Sequence, residues 1–399
     1  MKLGILGGTF NPIHEGHLSL ANMALSAYGL DRVLLLVNAS PPHKNVPNLI
    51  AGVDRLEMVR AAAAPYGGLE PCDLEVRLGG VNYTVASVSR LKEMYPGAEL
   101  NLIIGEDMLE SFHSWREPER LVEMVRLIAV RRPGSSADME LAAQRLRESI
   151  GARILIAPFS GPDISSTSIR RRIRDALAVE GDVPFAVERI IYEKGYYFPP
   201  EIRLMQEKLA GMQNKNRYLH TMGTVFAAVE LAGRHGADGK NARLAALLHD
   251  CAKVAERSIL EQAEEEGLTL DASSAGMKGL LHAKIGAIYA KRLFGVEDEQ
   301  VLDAIRYHTT GRAGMSLLEK IVYLADMIEP GREFPQADAL RRLSKVDLDL
   351  AVIGAMRVSI QNVRERGKTL HPDTIEALEA LIKENEGRIG SLDPLYKSC

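Results

Sequence analysis

Short apolar runs alternate with amphipathic stretches through the first half of the chain. Residues 2–6, 33–37, 100–104, 125–130 and 154–156 read as buried strands, while 53–63, 85–94 and 139–150 carry apolar positions at helical spacing, as do Leu18, Leu20, Ala21, Ala24 and Leu25. That alternation predicts a parallel sheet with crossover helices. Ligands of such sheets collect beyond the carboxyl ends of the strands, so the segments following each strand are the ones to inspect. Gly195-Tyr196-Tyr197-Phe198-Pro199-Pro200 closes the alternation, and from Glu201 onward the pattern is helical throughout. The expected organisation is an α/β Rossmann-like domain over 1–198, an all-α helical domain over 199–386, and a loose tail over 387–399.

Bulk properties narrow this picture. A chain of 399 residues suits two cores rather than one. A net charge of -4 with mixed signs offers no general polyanion-binding surface, so nucleic acid is not expected as a partner. Cys72, Cys251 and Cys399 are scattered without a close pair, which argues for a reducing compartment, and the cytoplasm is expected. The start reaches Asn11, His14 and Glu15 too soon for a signal peptide, and no apolar run is long enough to span a bilayer.

The densest chemistry lies in Gly7-Gly8-Thr9-Phe10-Asn11-Pro12-Ile13-His14-Glu15-Gly16-His17, between the first strand and the first helix. Adjacent glycines let the backbone approach a phosphate, the helix start favours an anion, and His14 and His17 at a spacing of three can donate to phosphate oxygens together. The stretch resembles the T/H-x-G-H signature of the nucleotidyltransferase superfamily and is most similar to nicotinate-nucleotide adenylyltransferases, with Asn11 where that family usually has Asp. The resemblance covers about residues 1–198. It implies adenylyl transfer from ATP, with Mg²⁺, to nicotinate mononucleotide, giving deamido-NAD and pyrophosphate. Gly7, Gly8, Thr9, Phe10, His14, His17, Gly105, Asp107, Ser165, Ser166 and Arg170 would then serve ATP, with His14 and His17 catalytic. Lys44, Tyr83, Thr84 and Trp115 would serve the mononucleotide. Physically, Thr84 is expected as a helix N-cap, and Ile164-Ser165-Ser166-Thr167-Ser168-Ile169-Arg170 is a hydroxyl-rich cap with a guanidinium one turn in.

In the second half polar groups sit in apolar helical context: His220, His249-Asp250, His282, His308 and Asp326. A buried aspartate is costly without a cation, and several apolar helices each contributing one polar group imply a shared metal centre. Imidazole and carboxylate without thiolate suit iron, manganese or zinc. Leu247-Leu248-His249-Asp250, Ala304-Ile305-Arg306-Tyr307-His308-Thr309-Thr310-Gly311 and Tyr323-Leu324-Ala325-Asp326 resemble the symmetrical diadenosine tetraphosphate hydrolases of the HD superfamily. The resemblance implies two divalent ions, iron being the expected metal, held by His220, His249, Asp250, His282, His308 and Asp326. Asp250 would be catalytic, Lys253, Arg312 and Arg332 would contact polyphosphate, and the products would be two ADP.

The leading expectation is therefore a bifunctional enzyme. Two alternatives stay open. The helical half can be a nucleotidase or a nucleotide-sensing module, and the first domain can adenylylate another phosphate acceptor. The sequence leaves the oligomeric state, homo-oligomer included, open.

Overall fold

The computed structural model describes residues 1–39, 49–131, 134, 138–254, 257–267 and 280–388. Lys44, expected beside the mononucleotide, and residues 389–399 of the expected tail lie outside the described residues. The chain divides into two compact units, Met1–Arg171 with Val179–Ile190, and Arg172–Ala178 with Ile191–Cys399.

The first unit is built on six parallel strands: β1 (Lys2–Gly8), β2 (Arg32–Val37), β3 (Leu69–Cys72), β4 (Glu99–Gly105), β5 (Val125–Arg131) and β6 (Ile154–Ser160). Their spatial order is β3-β2-β1-β4-β5-β6, a Rossmann-like sheet. Strands covered by helices on both faces need no polar alternation, so Leu3, Ile5, Val33, Leu35, Leu127 and Ile128 are all inaccessible to solvent. The apolar runs anticipate five of the strands, and β3 is an addition. Its four residues, Leu69-Glu70-Pro71-Cys72, hold a charge and a proline, which a sheet tolerates only at an edge, where β3 lies. The chain reverses its winding between β1 and β4, and this switch point opens a crevice at the carboxyl ends of both.

The β1 run extends two residues beyond its apolar part, because Gly7 and Gly8 still pair with Leu36 and Val37. The turn therefore comes later, at Phe10, whose φ of 48° is left-handed. Gly8 must lack a side chain, since a Cβ there would stand 2.8 Å from the Phe10 ring. Thr84 opens the Thr84–Met94 helix rather than capping it: Tyr83 holds the capping position, with no side-chain cap hydrogen bond.

The second unit is helical, with Lys215–His235, Gly239–Leu248, Leu281–Phe294, Glu299–Tyr307 and Leu317–Ile328 around a common centre and Leu348–Glu365 packed outside. Among the described residues no helix is long and apolar enough to cross a membrane.

Candidate active sites

In the first unit the switch-point crevice forms a cleft of about 300 Å³. It is lined by Gly7, Gly8 and Thr9 from the end of β1, by Asp107 after β4, and by Tyr83, Thr84 and Trp115. Gly105 ends β4 beside it, and a Cβ there would lie 2.9 Å from Asp107 Oδ1. Trp115 is half-buried, with its ring stacked 5.0 Å from Phe112, so it is rigidly held while still lining the cleft.

His14 and His17 lie against each other at the start of the Glu15–Ala27 helix, ring centroids 3.7 Å apart. His17 Nδ1 accepts the His14 backbone N–H at 3.3 Å, which leaves Nε2 as the protonated nitrogen of a neutral His17. Phe10 meets the His17 ring edge-on at 5.0 Å. The helix terminus itself offers less than expected, because the Glu15 N–H is bonded to Asp182 O and the His17 N–H to His14 O. An anion at this corner would therefore meet the two imidazoles more than the backbone N–H groups. The hydroxyl-rich segment is stapled to the same corner. Ser166 Oγ donates to Pro12 O at 2.9 Å, Arg170 Nη1 donates to Asn11 O at 2.8 Å, and Ser165 Oγ caps the helix by accepting from the Ser168 N–H. Asn11, buried, accepts the Ile50 N–H at its side-chain oxygen, a link an amide and a carboxylate both make.

Burial pulls the His14 pKa down from 6.5 to about 4, and burial together with neighbouring His14 holds His17 well below its usual value. Both rings are neutral in the free protein at physiological pH. An unfolded chain protonates His14 near 6.5 and the folded one only near 4, so the unfolded state binds more protons across that window. The thermal midpoint is expected to fall as pH drops from 6.5 towards 4. Buried His249 and His282 act in the same direction, so the measurement is the slope of midpoint against pH in wild type and His14→Gln, shallower in the variant.

Three groups at this site escaped the sequence. Arg55 is wholly buried and donates to Thr9 O (2.5 Å), Ile50 O (2.9 Å) and Ala39 O (2.9 Å), tying three segments together. Glu75 is buried in the cleft wall, accepts from Ser87 Oγ at 2.6 Å, and is pushed up in pKa by burial. Arg116 lies 4.7 Å over the Tyr83 ring at the cleft. Arg116 adjoins Trp115 in Ser114-Trp115-Arg116 but had no role of its own there, and each of the three acts through partners distant in sequence.

The second unit gathers all six expected ligand side chains into one cluster. His220 comes from within Lys215–His235, His282 from the start of Leu281–Phe294, and Asp326 from Leu317–Ile328. His249 and His308 are the C-caps of their helices, and each turns its Nδ1–H back onto a terminal carbonyl, Ala246 O and Ile305 O, both at 2.7 Å. That bond satisfies a helix end and fixes the tautomer, leaving Nε2 as the unprotonated nitrogen aimed inward; in His308 it lies 3.2 Å from His282 Nε2. Asp250 is central. Its Oδ2 faces His249 Nε2 (3.5 Å) and His220 Nε2 (3.8 Å), while its Oδ1 faces His282 Nε2 (3.2 Å) and His308 Nε2 (3.6 Å). Asp326 Oδ1 is 3.1 Å from His220 Nε2.

The donors fit a cation. His249 is fully buried, its Nε2 makes no hydrogen bond, and with Nδ1 protonated it directs a lone pair at a carboxylate oxygen. Two facing acceptors repel unless a positive ion lies between them. Burial lowers the pKa of His249 and takes His282 down to about 4, so both are available as neutral ligands. Burial pushes Asp250 and Asp326 up, but the histidines outweigh it, aided at Asp326 by Arg332, and both lie well below the usual carboxylate range. His220 is pulled down by burial and raised overall by Asp326 and Glu329.

Beside His282 opens a cleft of about 330 Å³ lined by Arg217, Lys253 and Arg257, and among the described residues no acidic side chain stands in its wall. Lys253 Nζ is 3.0 Å and Arg217 Nη1 2.7 Å from Asp250, and Arg332 Nη2 is 2.5 Å from Asp326 Oδ1. Arg217 was not anticipated. Arg312 pairs with Asp303 (3.0 Å) and Glu319 (2.7 Å) and lies over the Tyr307 ring.

Comparison with known proteins divides along the same line. The cytidylyltransferase-like family model matches residues 5–172 and the HD domain model residues 217–331. A protein of Halalkalibacterium halodurans described as a symmetrical bis(5'-nucleosyl)-tetraphosphatase is 41% identical over 172 residues, covering 43% of this chain and 92% of its own. A probable nicotinate-nucleotide adenylyltransferase of Citrifermentans bemidjiense is 37% identical over 212 residues, covering 49% of this chain and 98% of its own. A solved structure from Clostridium acetobutylicum, described as a predicted HD-superfamily hydrolase involved in NAD metabolism, is 42% identical, with a TM-score of 0.44, 46% of this chain covered and 97% of that one.

Proposed function

The chain belongs to the cytidylyltransferase-like family in its first half and to the HD-domain family in its second, and from that premise we propose an enzyme with two activities. The first is adenylyl transfer from ATP to nicotinate mononucleotide. The second is metal-dependent symmetrical hydrolysis of diadenosine tetraphosphate to two ADP.

In the first unit the mononucleotide phosphate attacks the α-phosphorus of ATP, pyrophosphate leaves, and no covalent enzyme intermediate forms. Its oxygen is already a nucleophile, so the protein's work is to align it and to neutralise charge. ATP enters as its Mg²⁺ complex. Gly7, Gly8 and Thr9 let the phosphates lie along the end of β1, and His14, His17, Ser165, Ser166 and Arg170 meet their oxygens. Gly105 and Asp107 serve the ribose side. Tyr83, Thr84 and Trp115 hold the pyridine end, with Lys44 and Arg116 as cations for its carboxylate or phosphate.

In the second unit His220, His249, Asp250, His282, His308 and Asp326 would hold two divalent ions, iron by family resemblance. Bound ions supply polarised phosphoryl oxygens and a water of lowered pKa. Lys253, Arg312 and Arg332, with Arg217 and Arg257, draw the polyphosphate onto that centre. The observation that carries this reading is the buried lone pair of His249 facing the Asp250 carboxylate, beside a cleft walled by cations.

Product analysis tests it. Incubation with diadenosine tetraphosphate is expected to give ADP alone, and prior chelation to abolish turnover until divalent metal is restored. ATP with AMP as products would mean asymmetric cleavage, and turnover in metal-free protein would end the metal reading. Nicotinate mononucleotide with ATP is expected to give deamido-NAD and pyrophosphate at a rate unaffected by removing metal from the second unit and resupplying Mg²⁺.

A further inference from the structure

Glu329 is one helical turn beyond Asp326 and was not singled out by the sequence, where it precedes Pro330-Gly331-Arg332 and reads as a solvated helix end. In the fold it is buried, with only 4% of its surface exposed. Its Oε1 lies 3.1 Å from His220 Nδ1, the nitrogen of that ring turned away from the cluster. Its Oε2 accepts the Gly331 N–H at 2.6 Å. The carboxylate occupies space that side chains on two other residues would fill. A Cβ on Gly223 would stand 2.5 Å from Oε2, and one on Gly331 3.0 Å from it. Gly223 is one turn along the helix from His220, so its missing side chain is what lets the carboxylate reach the ring. Arg332 Nε is 3.8 Å from Oε1. Burying a carboxylate here is costly, and a helix end has no need of one.

We propose that Glu329 is a positioning residue for the metal centre: by accepting the His220 Nδ1–H it fixes the ring, presents Nε2 as a lone pair, and raises its strength as a ligand, with Gly223 as the vacancy that admits it. His249 and His308 receive the same orientation from neutral carbonyls. His220 alone of these three is backed by a charged group, so its donor strength exceeds theirs, and the His220 side of Asp250 is the tighter half of the centre. The inference rests on the metal reading above.

The test measures metal affinity of the full chain by competition with a chelator, using Co²⁺ as the probe ion. Glu329→Gln is nearly isosteric and keeps an acceptor while removing the charge. It is expected to weaken Co²⁺ binding about 10- to 100-fold. Gly223→Ala, which touches no ligand, is expected to shift affinity in the same direction by displacing the carboxylate. The decisive comparison is Glu329→Gln in a His220→Ala background, where its effect is expected to vanish, because a residue acting through His220 has nothing left to act on. A merely structural Glu329 would weaken binding equally in both backgrounds. Unchanged affinity in Glu329→Gln, or an undiminished effect without His220, overturns the assignment. Failure of the wild-type chain to bind Co²⁺ at all would instead overturn the metal reading itself.

Discussion

His17→Ala is expected to lower kcat for adenylyl transfer by about 10²- to 10³-fold, the usual loss when one preorganised donor to a developing oxyanion is removed. The expectation comes from the tautomer. His17 Nδ1 is occupied by the His14 backbone N–H, so Nε2 carries the proton, and the ring contributes a directed N–H rather than a charge. Burial keeps it neutral, which spares the free protein two adjacent imidazolium ions, and the phosphates bring the charge that strengthens the bond. Because the Glu15 and His17 backbone N–H groups are already bonded, little else at this helix start can substitute. The measurement is deamido-NAD formation at saturating ATP and nicotinate mononucleotide. Hydrolysis of diadenosine tetraphosphate by the same preparation serves as the folding control and is expected to be unchanged. Wild-type kcat in His17→Ala would remove the pair from the mechanism.

What the sequence disclosed and what it concealed follow from the range of the forces involved. Strands of the parallel sheet were legible because burial on both faces leaves continuous apolar runs. β3 was not, because an edge position relaxes that demand and admits Pro71. The six clustered side chains were legible as polar residues in apolar helices, where the cost of burial itself marks them. Glu329 and Arg217 were not, since one follows a helix and the other lies in a polar first turn, and each gains meaning only from a partner: Glu329 from His220, 109 positions away, and Arg217 from Asp250, 33 away. Arg55 is the same case in the first unit. Its bond to Thr9 O spans 46 positions, and nothing in Asp54-Arg55-Leu56 marks it off from an exposed helical arginine.

Asp250→Asn is expected to have the larger effect of the two changes on the helical unit's chemistry, removing both ions where His282→Ala removes one. Among the described residues Asp250 is the one carboxylate whose two oxygens face different histidine pairs, His249 and His220 on one side and His282 and His308 on the other. An amide in its place keeps one weak oxygen donor, loses the negative charge, and sets an NH₂ group against a ligand nitrogen. Hydrolysis of diadenosine tetraphosphate is expected to fall by more than about a hundredfold, beyond what loss of a supporting partner alone produces. The fold is expected to survive, since Arg217 and Lys253, the cations paired with Asp250, remain about a third exposed and rehydrate when it is neutralised. Metal content by elemental analysis separates the outcomes: near two ions per chain in wild type, near one in His282→Ala, and near none in Asp250→Asn, with adenylyl transfer at the wild-type rate in all three. Asp250→Asn that retained two ions, or hydrolysed at the wild-type rate, would show that the carboxylate does not join two halves of one centre.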